Sequence, residues 1–170
     1  MNQIREAIRE TLISEIGNTT EAYSYSIESH EISSLDEKIH VSIRFGFETE
    51  FNTPYRVIFE CIEAYSEQLI GVSFSANGSF EDTVDEGSMF RVMATVMKIC
   101  KHVWSRRVHY LGSEFFEKDD VYGFRFSPNL KKRGRVARER QRTKLYRAFI
   151  HRQFPSATIR TSREWVKVYV

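Results

Sequence analysis

Hydrophobic and polar positions along the chain change period several times, and each change marks an element. In residues 3–16, Ile4, Ala7, Ile8, Leu12, Ile13 and Ile16 fall mostly on one face at helical spacing, which predicts an amphipathic helix closed by Gly17-Asn18. Residues 18–38 are rich in Ser, Thr and Glu and predict either irregular chain or a weak edge strand. From 39 to 47 the pattern alternates strictly, with Ile39, Val41, Ile43, Phe45 and Phe47 on one face, which is a half-buried strand. Runs at 55–65, just after Pro54, and at 69–76 read the same way. The short turns between these runs favour an antiparallel meander.

The period then returns to that of a helix. Residues 77–87 form an acidic loop, and Ser88 is a reasonable N-cap for MFRVMATVMKICKHVW. Apolar residues at 89, 92, 93, 96, 99, 100 and 103 cover a wide arc there, so this helix is expected to be central. Residues 109–120 read as a loop or short insertion, and 121–128 as a strand halted by Pro128. A basic loop at 129–136 leads into a second helix, 137–153, with Leu145, Ala148 and Phe149 inward and Pro155 as its stop. Residues 156–161 and 164–170 alternate and predict a terminal hairpin turning at Thr161-Ser162-Arg163. The expected class is α/β (α+β): a mixed, mostly antiparallel sheet flanked by helices, forming one domain over 1–170.

Composition narrows the class of protein. With 41% hydrophobic and 14% aromatic residues the chain has the material for a packed core and is not a disordered chain. Cys61 and Cys100 each lie inside an apolar segment and read as small core residues in a reducing compartment. No apolar run approaches the ~20 residues of a membrane helix, and the charged N-terminal segment lacks signal-peptide character. The expectation is therefore a protein that acts where it is made, away from membranes.

Charge changes the picture more. Residues 131–152 carry 10 Lys/Arg against one acid, Glu139, a balance of +9. The remainder carries 15 Lys/Arg against 22 Asp/Glu, a balance of −7. Such a block suits an anionic partner, nucleic acid or an acidic protein, met by Arg133, Arg135, Arg138, Arg142 and Lys144. The alternative is a solvated basic helix neutralised by the chain's own acidic loops at 81–86 and 114–120. Those acids lack the Asp-x-Asp-x-Asp-Gly order of a calcium loop. The five histidines show no metal-ligand spacing. No phosphate-binding loop, nucleophile elbow or dinucleotide fingerprint is present, so classical kinase, hydrolase and dehydrogenase chemistry is poorly supported. No metal is expected.

The order of helix, three-strand meander, central helix, strand, helix and terminal strands resembles that of the Gcn5-related acetyltransferases. The segments GSMFRVMATVMKIC, FRFSP and RQRTKLYRAFIHR also resemble a group of small tailed-bacteriophage proteins with that fold, over about residues 55–153. The most specific part is Arg142 with Lys144-Leu145-Tyr146. The resemblance implies a phage accessory protein, in the host cytoplasm or in the virion. It also implies that Tyr146 matches the tyrosine that protonates the coenzyme A thiolate. Without a base beside it, a tyrosine between Leu145 and Phe149 is usually a core-edge residue.

The sequence departs from the acyltransferase pattern where those enzymes carry a glycine-rich turn. Thr83-Val84-Asp85-Glu86-Gly87-Ser88 stands there instead, with one glycine and two carboxylates. Gly87 and Ser88 occupy the cofactor-binding position. The neighbouring acids suit a helix start but repel a pyrophosphate. The expected reading is a non-catalytic binding module without cofactor; the alternative is an atypical acyltransferase using acetyl-coenzyme A.

Overall fold

The computed structural model of the chain describes residues 21–63, 68–78, 89–113, 115, 121–126, 146–162 and 165–170. The N-terminal helix expected at 3–16 and most of the acidic and basic loops lie outside them. The described residues form an α+β structure: one seven-stranded mixed sheet with three helical segments. In chain order these are β1 (Tyr25–Leu35), β2 (Lys38–Glu48), β3 (Pro54–Ile62), β4 (Gln68–Ala76), α1 (Met89–Ser105), α2 (Arg107–Leu111), β5 (Val121–Phe126), the helical residues 146–153 (α3), β6 (Thr158–Thr161) and β7 (Val166–Tyr169).

Strands β2 to β4 form the expected antiparallel meander, and β1 extends it by one strand. The segment left open between irregular chain and edge strand is the eleven-residue β1. It turns into β2 through Asp36 and Glu37, both at positive φ (50° and 64°), as tight hairpin turns require. A bulge between Ile27 and Ser29 frees Glu28 to lean across β2. Its carboxylate crosses over Gly46, where any side chain would collide with it, and pairs with Arg56 on β3. Both groups are exposed, so this ion pair contributes little stability.

One face of the sheet carries the alternating apolar residues of the strands: Val41, Ile43, Phe45 and Phe47 of β2; Tyr55, Val57, Phe59 and Cys61 of β3; Ile70 and Val72 of β4; Phe124 and Phe126 of β5; Val166 and Val168 of β7. Helix α1 buries Val92, Met93, Val96, Met97, Ile99, Cys100 and Val103 and belongs to the same core. Ring contacts continue the packing: Phe59 meets Phe45 at 5.9 Å and Phe124 at 6.4 Å between centroids. Trp104 of α1 and Phe154, just beyond α3, close on Phe124 at 5.5 and 5.8 Å. The opposite face is predominantly polar.

Two features were not foreseen. Residues 107–111, partly assigned to a loop, form the short helix α2, whose Tyr110 and Leu111 are buried, and Phe115 beyond it is fully buried. Apolar residues at 108, 110 and 111 are too few to announce a helical period. The sheet order is β1-β2-β3-β4-β5-β7-β6. Strand β5 therefore runs parallel to β4 after the crossover through α1, and the last strand, β7, inserts between β5 and β6.

Candidate functional site

The parallel pairing of β4 with β5 runs from Gln68↔Val121 to Val72↔Phe126. Beyond Val72, β4 continues through Ser73, Phe74, Ser75 and Ala76, paired there with β3. Sheets with parallel strands bind ligands in crevices at the strands' carboxyl ends, which makes this end the candidate site.

Tyr146 lies there. Its ring sits 6.1 Å from Phe74 and 5.7 Å from Phe126, centroid to centroid, bridging the ends of the two strands. One turn further along α3, Phe149 packs at 6.3 Å from Phe90 in the first turn of α1. Three rings thus cross the end of the β4–β5 pair. The geometry brings together Tyr146, which the sequence singled out, and Phe74 and Phe126, which alternation marked only as strand residues.

Gly87, Ser88, Arg133, Arg135, Arg138, Arg142 and Lys144 lie outside the described residues. Of the basic block, Arg147 is exposed and Arg152 half-buried.

At the same end of the sheet, Tyr23, Phe47 and Tyr55 stack in a row, with centroids 5.8 and 5.1 Å apart and planes within 15° and 5° of parallel. The Tyr23 hydroxyl donates to Glu50, and Arg91 lies 4.1 Å over the Tyr23 ring with Nη1 3.8 Å from Glu50 Oε2. Burial, reinforced by the bond to Glu50, pushes the Tyr23 phenol up to about 12; that same bond holds the Glu50 carboxyl below its usual range. A phenol so weakly acidic stays protonated and moves no proton at neutral pH. Its role is structural. The backbone N–H of Tyr23 donates to Thr95 Oγ1 (2.8 Å), whose hydroxyl donates to the Arg91 carbonyl (2.7 Å), pinning the incoming chain to α1. No sequence signal joins residues 23, 50, 91 and 95.

A second polar-aromatic group lies where α1 and α2 meet β1. His102 Nε2 is 2.9 Å from the Tyr110 hydroxyl and His30 Nε2 2.7 Å from the Tyr110 carbonyl oxygen. The His102 ring stacks edge-on against Tyr25 and Phe45. Burial, assisted by the nearby Arg106 charge, lowers the His102 pKa, and burial with Tyr110 raises that of Tyr25. In the unfolded chain His102 takes up its proton near pH 6.5, whereas the folded protein resists it to lower pH. Stability is therefore complete above the unfolded pKa and falls as pH drops through the folded one. Thermal melts between about pH 7.5 and 4.5, the range of histidine titration, should show this fall, and His102→Gln should flatten its upper part. An unaltered profile would remove His102 as the cause.

Neither cysteine is in a disulfide and both are buried, as their apolar setting predicted, and burial raises the Cys100 thiol well above its usual value. Cys61 Sγ rests 3.7 Å from Gln68 Oε1. They are structural thiols, not nucleophiles. Among the described residues no three His, Cys, Asp or Glu side chains converge as metal ligands, and no helix is long and apolar enough to cross a membrane. Comparison with protein-family models, curated proteins and solved structures finds no match to this chain.

Proposed function

We propose that this chain is a phage accessory protein with an acetyltransferase-like fold that serves as a non-catalytic binding module for an anionic partner, nucleic acid or an acidic protein. It would act in the host cytoplasm or within the virion. The fold reading is supported by the meander, the helical crossover to a parallel β5, and the insertion of β7 between β5 and β6. The observation that carries the binding reading is the aromatic filling at the carboxyl ends of β4 and β5. The Tyr146 ring bridges Phe74 and Phe126 there, and on the acetyltransferase-like reading these rings stand where an acyl donor would enter. Binding energy must then come from elsewhere, and the +9 balance of residues 131–152 is the strongest resource in the sequence.

Salt titration tests this. Affinity for duplex DNA or for an acidic polypeptide should fall steeply as ionic strength rises. For DNA, replacing Arg138 and Arg142 with alanine should reduce the slope of log K against log salt by about 1.8, near 0.9 per lost phosphate contact. An unchanged slope would remove the basic block as the binding surface.

One observation favours a second reading. Tyr146 stands at the end of the parallel strand pair, the position from which an acyltransferase tyrosine protonates a departing thiolate. On that reading acetyl-coenzyme A is the donor and Gly87 with Ser88 hold its pyrophosphate. A donor at 100 times its Kd would add about 2.7 kcal/mol, raising the melting midpoint by roughly 5–11 °C for a chain of this size. The binding-module reading expects no shift.

A further inference from the structure

The polar face of the sheet carries an arrangement that the basic block does not explain. Arg125 of β5 is in register with Lys167 of β7, and Lys167 with Arg160 of β6. Their neighbours Phe124, Val168 and Ile159 point to the core side, so by strand alternation the three cations share the other face. Adjacent strands lie ~4.8 Å apart, which sets three positive side chains across about 10 Å. Like charges directly opposite one another across strands are destabilising. The chain nevertheless places three in one row.

Among the described residues no carboxylate pairs with the outer two, Arg125 and Arg160, and both are exposed. The next acid along the row, Glu60 of β3, is separated from Arg125 by β4, which presents only Gly71 there.

Each arginine is instead laid on an aromatic ring. The Arg125 guanidinium sits 4.4 Å over the Trp165 centroid and that of Arg160 5.2 Å over Tyr169. Tyr169 is one same-face row away from the cations, and Trp165 lies on the other side of the row, in the turn joining β6 to β7. Each contact tethers a planar guanidinium against a ring, while both arginines remain exposed. Such a plane accepts a nucleobase on its open side while its edge donates to a phosphate.

We infer that the β5-β7-β6 face is a platform for single-stranded nucleic acid, with Arg125, Lys167 and Arg160 contacting phosphates and the Arg125–Trp165 and Arg160–Tyr169 stacks supporting unpaired bases. A sheet face suits a single strand better than a duplex. The bases of a duplex are already stacked on one another, whereas those of a single strand are free to lie on the platform. The inference narrows the anionic partner of the proposed function to one class and rests on that reading, but it uses different residues.

The test is fluorescence anisotropy with a labelled oligothymidylate of about a dozen nucleotides, a length spanning one such platform, and with the corresponding duplex. Titrations run from about 50 to 200 mM salt, where counterion release is read most clearly. The wild-type chain should bind the single strand more tightly than the duplex. Arg125→Gln with Arg160→Gln keeps much of each side-chain stem on its ring and removes the charge. This variant should weaken single-strand binding about tenfold or more, and reduce the salt slope by about 1.4, near 0.7 per lost contact. Trp165→Leu, with all three cations kept, should weaken binding about fivefold or more through lost stacking, with the slope nearly unchanged. Melting curves verify that each variant is folded.

The two surfaces are told apart by Arg138→Ala with Arg142→Ala. Loss of binding in that variant alone, with the Arg125/Arg160 variant unaffected, overturns the platform and leaves the basic block standing. The reverse result keeps the platform and removes the block. Preference for the duplex, or no binding of either probe by the wild-type chain, also overturns the inference.

Discussion

Replacing Phe124 with alanine is expected to cost about 3–5 kcal/mol of stability, the range for truncating a buried aromatic. The side chain is fully buried and joins the two halves of the sheet to the helices. Its ring lies 6.4 Å from Phe59 of the meander, 5.5 Å from Trp104 of α1, 5.8 Å from Phe154 after α3 and 6.4 Å from Phe126. Partners from three other segments, together with Phe126 of the same strand, cannot all move inward to fill the space, so a cavity term adds to the lost transfer energy. For a chain of this size the midpoint should drop by roughly 6–20 °C. Emission from Trp104 should also change, because one wall of its environment is removed. Phe51→Ala is the control: that ring is 55% exposed, and its loss should stay within about 0.5 kcal/mol. A Phe124→Ala effect no larger than that of Phe51→Ala would mean that the core is not organised around β5.

Gly123→Ala is expected to be comparably damaging for a different reason. Gly123 has φ +153°, a conformation that L side chains rarely adopt. A methyl group there would stand 2.9 Å from the Val168 carbonyl carbon and 3.2 Å from Tyr169 Cα, and overlap the Val168 oxygen outright. The obstacle is backbone of the neighbouring strand, which cannot rotate aside. Strain of about 1–3 kcal/mol and overpacking of about 1–3 kcal/mol together predict a loss of about 3 kcal/mol or more. Gly78→Ala is the comparison, because Gly78 has φ +75° but open space around it. There only the left-handed conformation is penalised, by about 1–2 kcal/mol. Hydrogen exchange separates the mechanisms: Gly123→Ala should speed exchange of β7 amides first, since the clash pries β5 from β7. Equal effects at the two glycines would show that the close approach of Val168 to Gly123 carries no energetic weight. The Arg125–Lys167–Arg160 row straddles the same pairing, so oligonucleotide binding should weaken together with it.

Much of the architecture is legible from periodicity alone. Strict alternation in 39–47 and the strand-like run from 55 mark strands with one buried face, and apolar spacing from 89 to 103 marks a helix packed along a wide arc. These patterns are visible because burial of each side chain follows directly from its position in the element. Strand β1 escapes the same logic. As an edge strand it exposes Ile27 and Ile32, breaks its own alternation with a bulge, and carries mostly polar residues. Helix α2 is too short to display a period.

The candidate chemistry divides along the same line. The +9 segment, the acids before α1 and the tyrosine at 146 can be read directly, because charge content and short motifs are local properties of the chain. That Tyr146 closes against Phe74 and Phe126, that Tyr23 meets Glu50 and Arg91, and that Arg125, Lys167 and Arg160 stand in one row depend on which strands become neighbours and in what register. Residues 125 and 160 are far apart in sequence, and their strands are joined only because β7 inserts between them. A shift of one residue in either pairing would send Lys167 to the opposite face of the sheet from its neighbours. Sequence determined which residues face a core; long-range pairing, governed by the packing of the whole sheet against α1 and α3, decided which polar residues face one another.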